Sequence, residues 1–318
     1  MNVQRFEPAS VFTPAEMAVL RKRSDLLGLL CVAHCWAVIF AMMAIFALWP
    51  NPLTFIAAVV VIGTRQLGLG ILNHDAAHGV LTETKWLNEW VGQWLCAYPG
   101  LGNMIAYRHY HLKHHRSTQQ PDDPDLVLSA PFPITRTSYR RKFIRDITGQ
   151  TGFKLKSAQI RRAFAGNTLR ERLATFRTRL GPQALVQLIL LAGLTAVGKP
   201  HYYLLFWVLP DLTWQQVVTR IRNIAEHAVV PDNNDVFRNA RTTYANLFER
   251  AFIAPYWVNY HVDHHLMFYV PCYNLPKLHR MLLAKGLGPK MEIQPNYRAI
   301  LKLAISKPEK APPLAQAA

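Results

Sequence analysis

Residues 26–49, LLGLLCVAHCWAVIFAMMAIFALW, run for 24 positions without a formal charge, and nothing else in the chain limits its fold as strongly. At ~1.5 Å per residue such a helix crosses a hydrocarbon core of ~30 Å, so the run reads as a membrane span. The polar residues before it include Glu7 and Glu16 and do not resemble the short basic start of a cleaved signal peptide, so the span is expected to stay in the mature protein. Pro50 and Pro52 mark a tight turn, and residues 53–72, LTFIAAVVVIGTRQLGLGIL, read as the return helix. Arg65 and Gln66 within it are expected to face protein or water instead of lipid.

A second hairpin is read over residues 183–198 and 202–219, although the first of these is short and the second contains Pro210 and Asp211. Residues 86–101, WLNEWVGQWLCAYPGL, carry Glu89 among their tryptophans, which suits an interfacial helix better than a span. The basic residues Arg21, Lys22 and Arg23, and the 13 Lys and Arg between 132 and 180, set the expected orientation with both segments on the cytoplasmic side. The expectation is therefore an all-α membrane protein with about four spans in two hairpins, an interfacial helix and a helical cytoplasmic cap. Its parts are a cytoplasmic segment 1–25, a membrane domain 26–275 with a cytoplasmic insert 109–180, and a cytoplasmic tail 276–318 whose end, KPEKAPPLAQAA, reads as disordered.

The net charge of +17 and pI near 10.0 call for an anionic partner. The long uncharged runs argue against nucleic acid, and RRKFIRDITG and IRRAFAGNTLRERLATFRTRL mix arginine with apolar residues at near-helical spacing, which favours helices lying on an anionic lipid surface. Cys31, Cys35, Cys96 and Cys272 form neither a CxxC pair nor a disulfide framework, so thiolate is not expected in a metal site.

Histidine carries the chemistry. Of 13 histidines, nine fall into four clusters: NHDAAHG with His74 and His78, HYHLKHH with His111, His114 and His115, NIAEH with Asn223 and His227, and HVDHH with His261, His264 and His265. On a helix, positions i, i+3 and i+4 share a face, and convergent imidazoles suggest a metal. Nine imidazoles overfill one ion, so two ions are the economical reading, while imidazole by itself leaves iron, copper, nickel and zinc open. His109 is expected to point elsewhere, and His34, His201 and His279 are set aside as lone, packed or solvated residues. Lys277 and Arg280 flank His279, and its replacement by alanine is expected to leave most activity. Asp75, Asp122, Asp123, Asp125 and Asp263 lie where they could orient ring N–H groups.

The ordered boxes HDAAH, HLKHH and HVDHH, carried on membrane hairpins with the last box near the C-terminus, resemble those of the membrane fatty acid desaturases and their hydroxylase and ketolase relatives. The resemblance covers roughly residues 50–275. It implies a di-iron centre of two non-haem iron ions that uses dioxygen as co-substrate. The implied ligands are His74, His78, His111, His114, His115, His261, His264 and His265, with His227 as the further ligand and Asn223 able to hold an iron through water. Glu226 beside His227 departs from the family pattern. The chain shows no glycine-rich dinucleotide fingerprint and no haem-binding domain, so an external electron donor is implied, a ferredoxin, a rubredoxin or a small cytochrome with its reductase. Desaturation of a long-chain fatty acyl or related membrane lipid is the function expected. The same centre acting as a lipid, carotenoid or alkane hydroxylase or ketolase is the alternative. A membrane protein that binds or moves metal ions without redox turnover would place ligands inside the apolar runs, and the clusters lie outside them.

Overall fold

The computed structural model describes residues 6–309, and the last part of the tail read as disordered lies outside them. Helix α1 (Asp25–Leu48) opens on Ser24, whose side chain accepts from Leu27 N–H, and helix α2 (Pro52–Ala77) opens on Asn51 with proline in its first turn. One stripe of α1, Gly28, Val32, Cys35, Ile39 and Met43, is buried, while Leu26, Leu30, Phe40, Ile45 and Leu48 are exposed. An apolar helix that turns apolar side chains outward suits hydrocarbon and not water as its surroundings. These two helices are long and apolar enough to cross a membrane. Gly28 is required where α1 meets the loop after α2, since a Cβ there would lie 2.2 Å from the Leu81 carbonyl oxygen.

The return helix is longer than its apolar pattern suggested and runs to Ala77, so His74 sits on it. Arg65 and Gln66 do face protein: Arg65 Nη2 donates to Ala251 O at 2.6 Å and Gln66 Nε2 to Trp207 O at 2.7 Å. The expected interfacial helix is broken into a helix Lys85–Val91, a π-helical turn Gly92–Ala97 and a 3-10 turn Tyr98–Gly100, with Trp86 and Trp90 exposed. Helix α3 (Met104–Arg116), capped by Asn103, then carries the second box.

The basic insert folds into helices Arg136–Ile147, Gln150–Ala163 and Leu169–Arg179, which leave Phe143, Phe153, Leu155, Ile160 and Leu173 exposed beside their arginines. Helix α4 (Gly181–Ala196) has 16 residues, ~24 Å, and reaches span length only together with Leu169–Arg179, from which it bends by 70°. The expected span 202–219 is not one helix. It is a π-helical turn Leu204–Val208, a short helix Leu209–Leu212 containing Pro210, and a break at Thr213 (φ −114°, ψ −89°), after which helix α5 (Trp214–His227) begins. Pro210 lacks the N–H that a continuous helix needs, and Asp211 is held by Lys156 at 2.9 Å. Helix α6 (His261–Leu266) carries the third box. A two-residue parallel pairing of Thr242–Thr243 with Ile293–Gln294 is the departure from an all-helical chain among the described residues.

Candidate metal centre

Three local features aim the boxes at one place. α2 continues past its apolar stretch to present His74, with His78 as its C-cap. α3 packs against the end of α2 through Gly92 of the π-helical turn, where a Cβ would lie 2.4 Å from Ala76 Cβ and 2.5 Å from Met104 Sδ. α5 runs alongside α2, tied by Trp214 Nε1 to Thr64 Oγ1 at 3.1 Å, and ends at His227.

The nine clustered histidines separate into two sets that each could hold a metal ion, His74, His78, His111, His115 and His264 in one, and His114, His227, His261 and His265 in the other. Within each set the candidate ligand atoms all lie within 4.8 Å of one another. The three histidines of a box do not converge on one point, as the shared helix face suggested. In each HxxHH box the i and i+4 residues serve one set and the i+3 residue serves the other: His111 and His115 against His114, and His261 and His265 against His264. The boxes are interleaved, and the sets adjoin, with the rings of His115 and His265 centred 4.3 Å apart.

The nitrogens show why a cation fits. His227 Nδ1 faces the Asn239 carbonyl at 3.1 Å and must donate to it, which leaves Nε2 as a bare lone pair. His114 Nδ1 likewise lies 2.8 Å from Asp123, whose carboxylate also accepts the N–H groups of Gln119 and Asp125. His265 Nδ1 is 3.3 Å from Thr118 Oγ1, and His261 Nδ1 is 3.5 Å from Glu226. The Nε2 atoms turn inward on one another, His261 to His227 at 2.8 Å, His265 to His261 at 3.1 Å, His264 to His115 at 3.0 Å and His115 to His111 at 2.9 Å. His74 Nε2 and both ring nitrogens of His78 are buried with no protein partner. Ring nitrogens packed this closely need a shared proton or a metal cation between them, and His227, whose Nδ1 proton is committed to Asn239, offers only a lone pair. Burial, reinforced by neighbouring imidazoles and cations, holds the pKa values of His111, His115, His227, His261, His264 and His265 well below the ordinary range, so these rings are neutral and ready to ligate.

Of the predicted supporting aspartates, Asp123 contacts a clustered ring directly and Asp125 lies 3.7 Å from the same nitrogen of His114. Asp75 reaches His74 Nδ1 at 3.4 Å and also accepts Cys272 N–H at 2.7 Å. Asp122 takes Ser117 Oγ instead, and Asp263 takes Thr242 Oγ1 and His279 Nδ1. His279 is therefore packed and partnered outside both histidine sets, with Lys277 and Arg280 pointing outward from its helix and not at its ring. His109 and His201 are exposed, and His34 pairs with Tyr256. Glu226 is not placed with the candidate ligands; Arg222 holds it at 2.6 Å, and burial pushes its pKa up to about 7 despite that partner. The role of Asn239 and Thr118 had no signal in the sequence, since both lie outside the boxes.

Two cavities open onto the centre from different walls. One of about 170 Å³ is polar, with Tyr110, Asp125, Arg222, Asn223 and Glu226 facing His114, His227 and His261. The other, about 330 Å³, is walled by Phe6, Leu112, Val236, Leu266 and Phe268 with Arg116 at its edge, and meets His115 and His265, one ring from each set.

A helical membrane chain with two adjoining histidine sets is the architecture of a membrane oxidoreductase. The family model for fatty acid desaturases matches residues 49–293, and the chain belongs to that family as a desaturase-like oxidoreductase. It is 28% identical over 270 residues to the dihydrorhizobitoxine desaturase of Bradyrhizobium elkanii, covering 81% of this chain and 75% of that protein. It is 26% identical over 240 residues to an sn-1 oleoyl-lipid 12-desaturase of a Picosynechococcus species, covering 68% of this chain and 65% of that one.

Proposed function

We propose that the two histidine sets hold two non-haem iron ions and that the protein is a dioxygen-dependent desaturase of a long acyl or related lipid chain. His74, His78, His111, His115 and His264 would hold one ion, and His114, His227, His261 and His265 the other, with Asn223 beside the second set and able to reach it through water. The observation that carries this reading is the set of inward-facing Nε2 atoms, buried and meeting one another at 2.8 to 3.1 Å. Bound iron would supply the reduction of dioxygen and the hydrogen abstraction from an unactivated methylene. The overall balance is –CH2–CH2– plus dioxygen, two electrons and two protons, giving –CH=CH– and two waters. The electrons come from an external ferredoxin, rubredoxin or small cytochrome with its reductase.

The chain's own residues have separable tasks in this reading. Asp123, the Asn239 carbonyl and Thr118 fix ring tautomer and orientation. Leu112, Leu266 and Phe268 line the apolar cavity against His115 and His265, where a hydrocarbon segment would lie out of water. The helices of span length, with the centre on the cytoplasmic side and the basic helices against anionic headgroups, complete the arrangement, supported by the distribution of Lys and Arg.

Hydroxylation or ketolation by the same centre is the rival outcome. Expression in a host with a simple lipid profile, followed by mass spectrometry of total lipids, separates them. Loss of two hydrogens from one acyl class supports desaturation, a gain of oxygen supports the rival, and an unchanged profile in cells that supply reductant would sink both.

A further inference from the structure

One sizeable cavity lies away from the metal centre. It is a groove of about 630 Å³ between α1, α2 and the segment 247–257, and no clustered histidine lines it. Its walls are apolar, Leu30, Val38 and Val61 among them, and it receives two arginines, Arg65 and Arg250, with no aspartate or glutamate among the described lining residues. Arg65 is 7% exposed, and its Nε has no partner, its one hydrogen bond being from Nη2 to the Ala251 carbonyl. No carboxylate among the described residues forms an ion pair with it. A guanidinium held in an apolar wall without counter-charge is costly, and its planar fork suits a phosphate.

The apolar walls, set beside two helices of span length, say which phosphate. Residues 55–63, FIAAVVVIG, are apolar, and polar side chains follow at Thr64, Arg65 and Gln66. At the same level Trp214 Nε1 meets Thr64, and Gln66 meets the Trp207 carbonyl. The rim is apolar and open, with Leu247 83% exposed. Arg250 is exposed, lies over the Trp257 ring at 5.8 Å and lines the same groove as Arg65.

We propose that this groove is a binding site for an anionic phospholipid of the surrounding bilayer, its phosphate held between Arg65 and Arg250 and an acyl chain lying along Val38 and Val61. The site is separate from the metal centre and does not depend on the reaction performed there. Two guanidiniums with no neighbouring carboxylate favour phosphatidylglycerol over phosphatidylcholine, whose ammonium finds no partner.

The test is native mass spectrometry of the purified full-length chain titrated with phosphatidylglycerol, phosphatidylcholine, oleate or inorganic phosphate. One phosphatidylglycerol should bind, about tenfold more tightly than phosphatidylcholine. Arg250→Gln, at an exposed position, should remove that preference without changing the thermal midpoint, and Arg65→Gln should lower phosphatidylglycerol affinity by about tenfold. Val61→Trp, which fills the groove, should abolish binding. Equal retention of the two phospholipids, or arginine variants that bind like the parent, would overturn the proposal. So would oleate or phosphate binding in preference to phosphatidylglycerol, which would assign the arginines to a fatty acid or a free anion.

Discussion

His279 Nδ1 lies 2.9 Å from Asp263 Oδ1, and both residues are buried, so a histidine outside every box holds the aspartate inside the third. The other carboxylate oxygen of Asp263 accepts Thr242 Oγ1 at 2.6 Å, and His279 Nε2 meets Tyr244 OH at 3.2 Å. His279→Ala would leave a buried carboxylate short of a partner, at a cost of about 1–3 kcal/mol. The thermal midpoint and metal content of the purified variant should both fall, with His279→Asn, which keeps a donor, restoring part of each. Parent-like values for His279→Ala would show the pair to be dispensable.

The interleaving makes metal content specific to each set. The parent should carry about two irons per chain with little zinc. His227→Ala reduces the four-histidine set to three and should leave about one iron, whereas His264→Ala leaves four histidines in its set and should retain more than His227→Ala. Turnover should be lost in both. Elemental analysis reads the difference, and a parent value near one iron would sink the two-ion reading.

Asp123 supports a ring and two backbone N–H groups at once. Asp123→Asn keeps the size but removes the charge that makes His114 a stronger ligand. Metal affinity should fall by about 10–100-fold, measured by chelator competition. An unchanged affinity would place the basicity of His114 outside the control of this carboxylate.

Gly92→Val tests the packing that brings α2 to α3. The new side chain would meet Ala76 and Met104, so the contact between the helices bearing His74 and His111 must open. A loss of about 1–3 kcal/mol is expected from overpacking, with metal loss in parallel. A variant that melts and binds metal like the parent would mean that the π-helical turn yields without moving α3.

The neutral histidines set the pH response. Their folded pKa values lie below the unfolded value of ~6.5, so above that pH these histidines take up protons in neither state and their contribution to stability is flat. As pH falls below ~6.5 the unfolded chain gains protons that the folded chain refuses, and stability drops. Protons compete with metal over the same interval. Thermal midpoint and retained iron should therefore fall together between about pH 6.5 and 5, and a midpoint that rises on acidification would contradict the buried neutral state.

The two long helices, the boxes and the family they resemble were legible in the sequence alone, because an uncharged run and an i, i+3, i+4 spacing are local patterns with local causes. The expectation of two ions also needed nothing more than a ligand count. What the sequence could not tell was the allotment of each ring. His114 leaves His111 and His115 for the other set because it points toward His227 and His265, residues more than a hundred positions away. The kinked route through Pro210 and Thr213, the demotion of Glu226 to a partner of Arg222, and the pairing of His279 with Asp263 have the same origin. Spacing on one helix says which side chains share a face, whereas a lone pair is committed only when another element arrives to bind the opposite nitrogen, and that is decided by packing.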